Sequence, residues 1–256
     1  MTLTYLGEQF RTEVQRSFSL LNLRKGRRPI EIEKARYTPR VTHRLNHFMV
    51  KLKHSDEVLI PCWIDPEIQR FVKDCMAHAK ENDLPLRGRY AYLTMDNKPI
   101  LKGKTQRLAG WHLDGLQGEE VPFKLPTCYE LTWTNKIPMQ ITDQGFEVNG
   151  LNFSQHNVFD SLAEQVYDES VRTLKANTLY LMNAYQLHRG TPASADTNDR
   201  LFLRLYISEL PITSSKMSIN ELIEYPYTVH STTGNIPEGL VTWVPEAEDA
   251  LVELKQ

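Results

Sequence analysis

His112 and Asp114 stand two residues apart in Trp111-His112-Leu113-Asp114, and His188 closes another run 76 residues later. In extended backbone, residues i and i+2 project from the same side, so the His112 imidazole and the Asp114 carboxylate can grip one ion together. A helix with the same spacing would part them. Adding His188 from a neighbouring strand places two imidazoles and a carboxylate on one face of an octahedron and leaves positions open for substrates, the ligand set of iron(II) oxygenases. His-x-Asp alone is a short pattern found often by chance, and taken alone a His–Asp hydrogen bond in a surface turn is the better account of it. The setting favours the metal. His188 ends the apolar run LYLMNAYQLH before the polar turn RGTP, and twelve residues on, RLFLRLYIS carries Arg200 and Arg204. Their spacing of four keeps strand parity, so both guanidiniums share one face, where a basic group can form a bidentate pair with a carboxylate co-substrate.

The remaining histidines are rivals for the ligand role. His43 and His47 have the i, i+4 spacing of a zinc helix, but the run HRLNH lacks the glutamate of metalloprotease helices. His78 falls alone in a helical stretch and reads as an ordinary structural histidine. Serine-hydrolase, phosphate-loop and dinucleotide fingerprints do not occur in the sequence. Cys62, Cys75 and Cys128 are odd in number and lie in no metal or nucleophile spacing, so they are expected to be reduced and buried.

The elements that must position these residues follow from periodicity. Asp65-Pro66 is a helix cap followed by proline, and Ile68, Phe71, Val72, Cys75, Met76 and Ala79 recur at helical spacing up to the stop at Asn82 to Pro85. HFMVKLK over 47–53 reads as a strand, and Leu3 to Leu23 as a short amphipathic segment. From Arg87 onward, short β-type runs alternate with Gly, Pro and Asn: RYAYLTM, TQRLAGWHLD, TCYELTWTN, MQITD, GFEVN, NTLYLMNAYQLH and RLFLRLYIS. Many short strands imply a sandwich or barrel. The stretch between Phe153 and Lys175 reads as a helical insertion or long loop, and SINELIEY after Pro211 as a short helix. One domain over 1–256 is expected: a basic N-terminal extension and helix over 1–86, a β core over 87–210, and a C-terminal cap segment over 211–256 packing on the core.

With 256 residues, 41% hydrophobic and 24% charged, the composition is that of a soluble globular protein, and disorder is not indicated. No apolar run approaches the length of a membrane span, and the N-terminus lacks a secretory pattern, so a cytoplasmic location without membrane partners is expected. Net charge is −2, yet residues 1–53 hold 12 Lys and Arg against 4 Asp and Glu, while residues 54–256 hold 18 against 28. The basic run Arg24, Lys25, Arg27, Arg28, Lys34, Arg36, Arg40 and Arg44 reads either as a patch for a nucleic acid or phosphorylated partner, or as a solvated surface paired with the acidic remainder.

Over about residues 87–210 the sequence resembles the iron(II)- and 2-oxoglutarate-dependent dioxygenases. In that family a His-x-Asp/Glu is followed by a distal His and then, ten to fifteen residues on, by a basic residue. His112, Asp114, His188 and Arg200 match in order, type and spacing. The resemblance implies a mainly β fold with flanking helices on a double-stranded β-helix (jelly-roll) core, with His112, Asp114 and His188 holding Fe(II). It implies that Arg200 anchors the far carboxylate of 2-oxoglutarate, with Arg204 a second candidate for co-substrate or substrate. Family members often use a hydroxyl on the strand after His-x-Asp, and of the alternating Cys128, Glu130, Thr132 and Thr134, Thr132 is chosen; a threonine that merely packs is the competing reading. Tyr90, Tyr92 and Gln106 are further pocket candidates. The implied activity is hydroxylation or demethylation of a small-molecule or anionic substrate with O2 as co-substrate and release of succinate and CO2. A carboxylate at Asp114 argues against halogenation. Two other classes stay open: a cupin-type metal enzyme that does not use 2-oxoglutarate, and a nucleic-acid-binding module working through the basic N-terminal third.

Overall fold

Strict alternation of side chains gives the central strands two unlike faces. In the computed structural model, which describes residues 20–40, 45–53, 56–114, 128–151, 157–208 and 217–223, strands β1 (Ile30–Lys34), β2 (Asn46–Lys53), β3 (Tyr90–Asp96), β4 (Cys128–Thr134), β7 (Thr178–Asn183) and β9 (Phe202–Ser208) form one sheet in the order β1-β7-β4-β9-β3-β2. Every pairing in it is antiparallel. β9 lies between β3 and β4 in unbroken register, so Arg204 stands opposite Thr94 on one side and Thr132 on the other. The region expected to be an N-terminal extension supplies both edge strands, β1 and β2.

The odd-numbered face carries Leu93, Met95, Leu131, Trp133, Leu203 and Leu205, all buried in the main apolar core. Helix α1 (Pro66–Glu81) covers it with Ile68, Phe71, Val72, Cys75 and Ala79. Asp65 caps this helix by accepting from the Glu67 amide at 2.8 Å, with Pro66 pre-set at the first helical position. Tyr37 locks helix to sheet, meeting Phe71 and Trp133 edge-on with centroids 5.3 and 5.2 Å away.

The even-numbered face is polar and aromatic: Thr94, Asp96, Glu130, Thr132, Arg204 and Tyr206, all buried. Beyond it lies a three-stranded sheet, β6-β5-β8, made of β5 (Gln140–Thr142), β6 (Val171–Thr173) and β8 (His188–Arg189). A second apolar cluster, including Trp111, Leu113, Phe146, Leu162 and Leu187, packs there with the short helix α2 (Val158–Ala163). Among the described residues no helix is long and apolar enough to cross a membrane.

Several expectations need correction. The run TQRLAGWHLD is not a strand: it is irregular, and His112 alone pairs, in an isolated bridge. GFEVN forms no strand. The stretch between Phe153 and Lys175 resolves, where described, into α2, a 3-10 turn at Asp168–Ser170 and β6. The described part of SINELIEY is a turn rather than a helix, because Asn220 spends its amide on the carbonyls of Lys51 and Leu59, each at 2.8 Å. Cys75 and Cys128 are buried and all three cysteines are free, but Cys62 is exposed. Most of the Leu3 to Leu23 segment, His43, Arg44, His54, His156, His230 and the cap segment after residue 223 lie outside the described residues.

Candidate metal centre

The structure brings His112, Asp114 and His188 together, with one ligand atom of each lying within 4.8 Å of the others. Two backbone features do this. His112 and His188 exchange both main-chain hydrogen bonds, at 3.0 and 3.1 Å, so their side chains leave the bridge on the same side and the ring centroids stand 4.4 Å apart. Asp114 follows His112 by two in locally extended chain, while Trp111 and Leu113 turn the other way into the second apolar cluster.

Each imidazole is oriented by its own loop. Nδ1 of His112 lies 2.8 Å from the Gly110 carbonyl, and Nδ1 of His188 lies 2.9 Å from the Gln186 carbonyl. A carbonyl only accepts, so Nδ1 carries the proton in both rings and each Nε2 presents a lone pair, the arrangement that a carbonyl behind the ring imposes on metal-binding histidines. Burial and then the neighbouring His188 push His112 down to about 4, which keeps it neutral at physiological pH. His188 is also buried, which opposes its charge, but Asp114, 3.5 Å from its Nε2, outweighs this and raises it. The donor set fits a divalent ion. Bonds of about 2.1 Å span at most about 4.2 Å between two ligands, so binding draws the three groups in only slightly.

Beneath the triad lies a buried ionic network. Nη1 of Arg204 donates to Asp114 at 2.5 Å and to Glu130 at 3.2 Å. Burial works against the Arg204 charge, yet these carboxylates outweigh it and hold the guanidinium protonated above its ordinary range. Arg200 sits on a neighbouring stretch of the same cavity wall, its Nε donating to the carbonyls of Lys136 and Ile137 and its Nη1 to the side-chain oxygen of Gln106. Burial pushes Arg200 down to about 10.

One cavity contains the triad, Arg200, Arg204 and Gln106. Thr132 faces the same way as Arg204 but borders a smaller adjoining cavity, shared with Arg200 and Phe202. Tyr92 is fully buried on the same sheet face, next to Tyr206 rather than in the cavity wall. Among the rivals, His78 bonds to Glu33 and Glu81, and His47 stacks near Trp63 with centroids 4.9 Å apart. Of the basic run, Arg24 pairs with Glu147 and Arg28 with Asp143.

Sequence reasoning missed Arg107 and Arg189, which also line the cavity. Arg189 was detectable only as the neighbour of His188. Arg107 lies in irregular chain where no periodicity marks it. The role of Glu130 carried a fainter signal, a charged residue in mid-strand between buried positions.

The chain matches no protein-family model and no curated protein. Among solved structures it is similar to EvdO2 from Micromonospora carbonacea var. aurantiaca, at 12% identity over 58% of this chain and 62% of that one, with a TM-score of 0.37. It is similar to a non-heme monooxygenase, ThoJ in complex with nickel, at 18% identity over 46% and 43%, TM-score 0.26. It is similar to an oxidoreductase of the 2OG-Fe(II) oxygenase family from Burkholderia pseudomallei, at 10% identity over 82% and 92%, TM-score 0.35. The chain thus spans less than two thirds of the length of the first two.

Proposed function

We propose that this protein is an Fe(II)- and 2-oxoglutarate-dependent oxygenase built on a double-stranded β-helix core. The observation that carries the reading is that a two-histidine, one-carboxylate cluster and a wall of guanidiniums share a single cavity. The first suits a divalent metal with open positions. The second suits an anionic co-substrate.

In this reading His112, Asp114 and His188 hold the iron. Iron with 2-oxoglutarate and dioxygen supplies oxidative decarboxylation to succinate and CO2, coupled to hydroxylation or demethylation of a substrate C–H bond. The chain's own contribution is placement. Gly110 and Gln186 fix the imidazole tautomers, Arg204 and Glu130 fix the Asp114 carboxylate, and Arg200 and Gln106 offer polar groups to the far carboxylate of the co-substrate, with Thr132 behind them. Buried walls keep water from the reacting centre.

A second reading has one observation in its favour. The Nε and Nη1 donors of Arg200 are already satisfied by two carbonyls and Gln106. A structural arginine there would fit a cupin-type metal enzyme that does not use 2-oxoglutarate.

Anaerobic titration with Fe(II) and then 2-oxoglutarate separates the two. The oxygenase reading expects a visible metal-to-ligand charge-transfer band that is lost in His112→Ala and weakened in Arg200→Ala, with succinate released in air. Iron binding without the band, and with Arg200→Ala behaving as wild type, would move the assignment to the second reading.

A further inference from the structure

We propose, resting on the oxygenase reading, that the substrate carries an oxyanion, a carboxylate or a phosphate, and that Arg107 recognises it. Four guanidiniums line the cavity, and they differ in depth. Arg200 and Arg204 are each 4% exposed and already engaged with groups of the chain. The Arg107 side chain is 30% exposed, and its guanidinium lines the cavity within electrostatic reach of Arg204, Asp96, Asp114 and Glu130.

Arg107 donates no hydrogen bond to any described residue. Its nearest carboxylate oxygen, Asp96 Oδ2, stands 3.8 Å away, beyond hydrogen-bond reach, and has the Lys98 ammonium closer, at 3.1 Å, although that buried oxygen accepts no hydrogen bond among the described residues. The guanidinium instead lies over the Phe202 ring, 5.3 Å from its centroid, with Arg200 also near that ring at 5.6 Å. A partly desolvated cation with a fork of unused donors is costly until an acceptor arrives, and its planar geometry selects carboxylate or phosphate.

The local charge balance points the same way. Among the described residues, the cavity-lining Arg107, Arg189, Arg200 and Arg204 with Lys98 close by face Asp114 and the adjoining Asp96 and Glu130, five cations against three carboxylates. A divalent ion and a dicarboxylate cancel each other, so the surplus of two positive charges survives loading of the site. Arg189 contributes to it from beside His188, its guanidinium carbon 4.5 Å from the centre of the Trp111 ring and its Nε donating to Gln140.

The position of Arg107 relative to the triad is fixed by a close backbone approach. The Gly190 amide donates to the Leu108 carbonyl at 2.7 Å, and a side chain at Gly190 would come within 2.9 Å of that oxygen and 3.1 Å of the Arg107 carbonyl. The Arg107 segment is therefore tied to the strand that bears His188, which sets how far from the metal the anionic group of the substrate would lie.

The test uses the full chain, both metal-free and loaded anaerobically with Fe(II) and 2-oxoglutarate. Inorganic phosphate and acetate are titrated separately at constant ionic strength, with thermal stability as the readout in both forms and the charge-transfer band as a second readout in the loaded form. At least one oxyanion is expected to bind wild type and to bind Arg107→Gln about tenfold or more weakly, with Arg107→Lys in between because it keeps the charge and loses the fork. Which of the two binds distinguishes a carboxylate from a phosphate substrate. Equal binding by wild type and Arg107→Gln, or no binding of either anion to wild type, overturns the proposal. So does a loss of 2-oxoglutarate affinity in Arg107→Gln as large as that in Arg200→Ala, which would place Arg107 in the co-substrate site. Failure of the band to form in wild type strikes the oxygenase reading instead, and the metal-free titration still decides whether Arg107 binds an oxyanion.

Discussion

The two faces of the six-stranded sheet are made by the same strands and do opposite work. On the face toward α1, Leu131, Trp133, Leu203 and Leu205 bury apolar surface against Phe71 and Val72, and each such side chain contributes roughly 1.5–3 kcal/mol by leaving water. On the other face, Arg204, Glu130 and Thr132 are just as buried, yet their burial carries a desolvation cost that pairing only offsets. Sequence neighbours such as Arg204 and Leu205 never share a face, so one strand can hold the fold together and shape the candidate metal site without the two demands competing for a position.

The variant expected to do most damage is Arg204→Ala, which removes the cation between Asp114 and Glu130. Breaking a buried ion pair from one side costs about 3–5 kcal/mol, and metal affinity should fall as well because Asp114 loses its orienting partner. Urea denaturation and metal titration on the same sample check both. Phe71→Ala should cost a similar 3–5 kcal/mol by leaving a cavity, while the folded fraction binds metal as wild type does. A fall in metal affinity there would mean that the faces are coupled.

Lys51 sharpens the contrast through pH. It is buried on the polar side, its ammonium 5.2 Å from the centre of the Tyr90 ring, and desolvation pushes it down to about 8. Between that value and the unfolded value near 10.4 the unfolded chain holds more protons, so stability should rise with pH across this window and be flat below it on this account. Lys51→Met should make the change in stability between pH 7.5 and 10 less positive than in wild type, as chemical denaturation of both at the two pH values would reveal, with the remainder belonging to other shifted groups such as Lys53, which burial also lowers, and Cys75, which burial raises. The smallest effect belongs to the helix side: Asp65→Ala removes the cap of α1 and should cost about 1 kcal/mol, with no change in metal affinity.

Much of this architecture is legible in the chain. Helix α1 announces itself through Asp65-Pro66 and a 3.6-residue stripe, and β3, β4, β7 and β9 through alternation. The triad is legible because parity survives in any extended stretch, ladder or not. The same fact misleads at TQRLAGWHLD, where Trp111 and Leu113 point inward and His112 and Asp114 toward the cavity, although only His112 is bridged. SINELIEY misleads differently: its apolar spacing is helical, but the Leu222 amide bonds to the Asn220 side chain at 3.0 Å, which closes a local turn. Arg107 and Arg189 depend on tertiary approach at a loop, for which sequence carries no period. Thr132 is placed on the correct face by parity, but parity alone does not tell which of two adjoining cavities it borders.

The His112–His188 bridge carries a consequence for how the molecule assembles. It joins residues 76 positions apart and stands outside the long ladders of the main sheet, so its closure must overcome the entropy of a large loop with two hydrogen bonds to show for it. Folding of the main sheet on α1 is therefore expected to come first and the triad to close last. Refolding monitored at Trp133 should run at the same rate with or without metal in solution. On that order of events the three ligand groups of the candidate centre meet only after the main sheet has formed, so a divalent ion added during refolding would encounter a chain already almost complete.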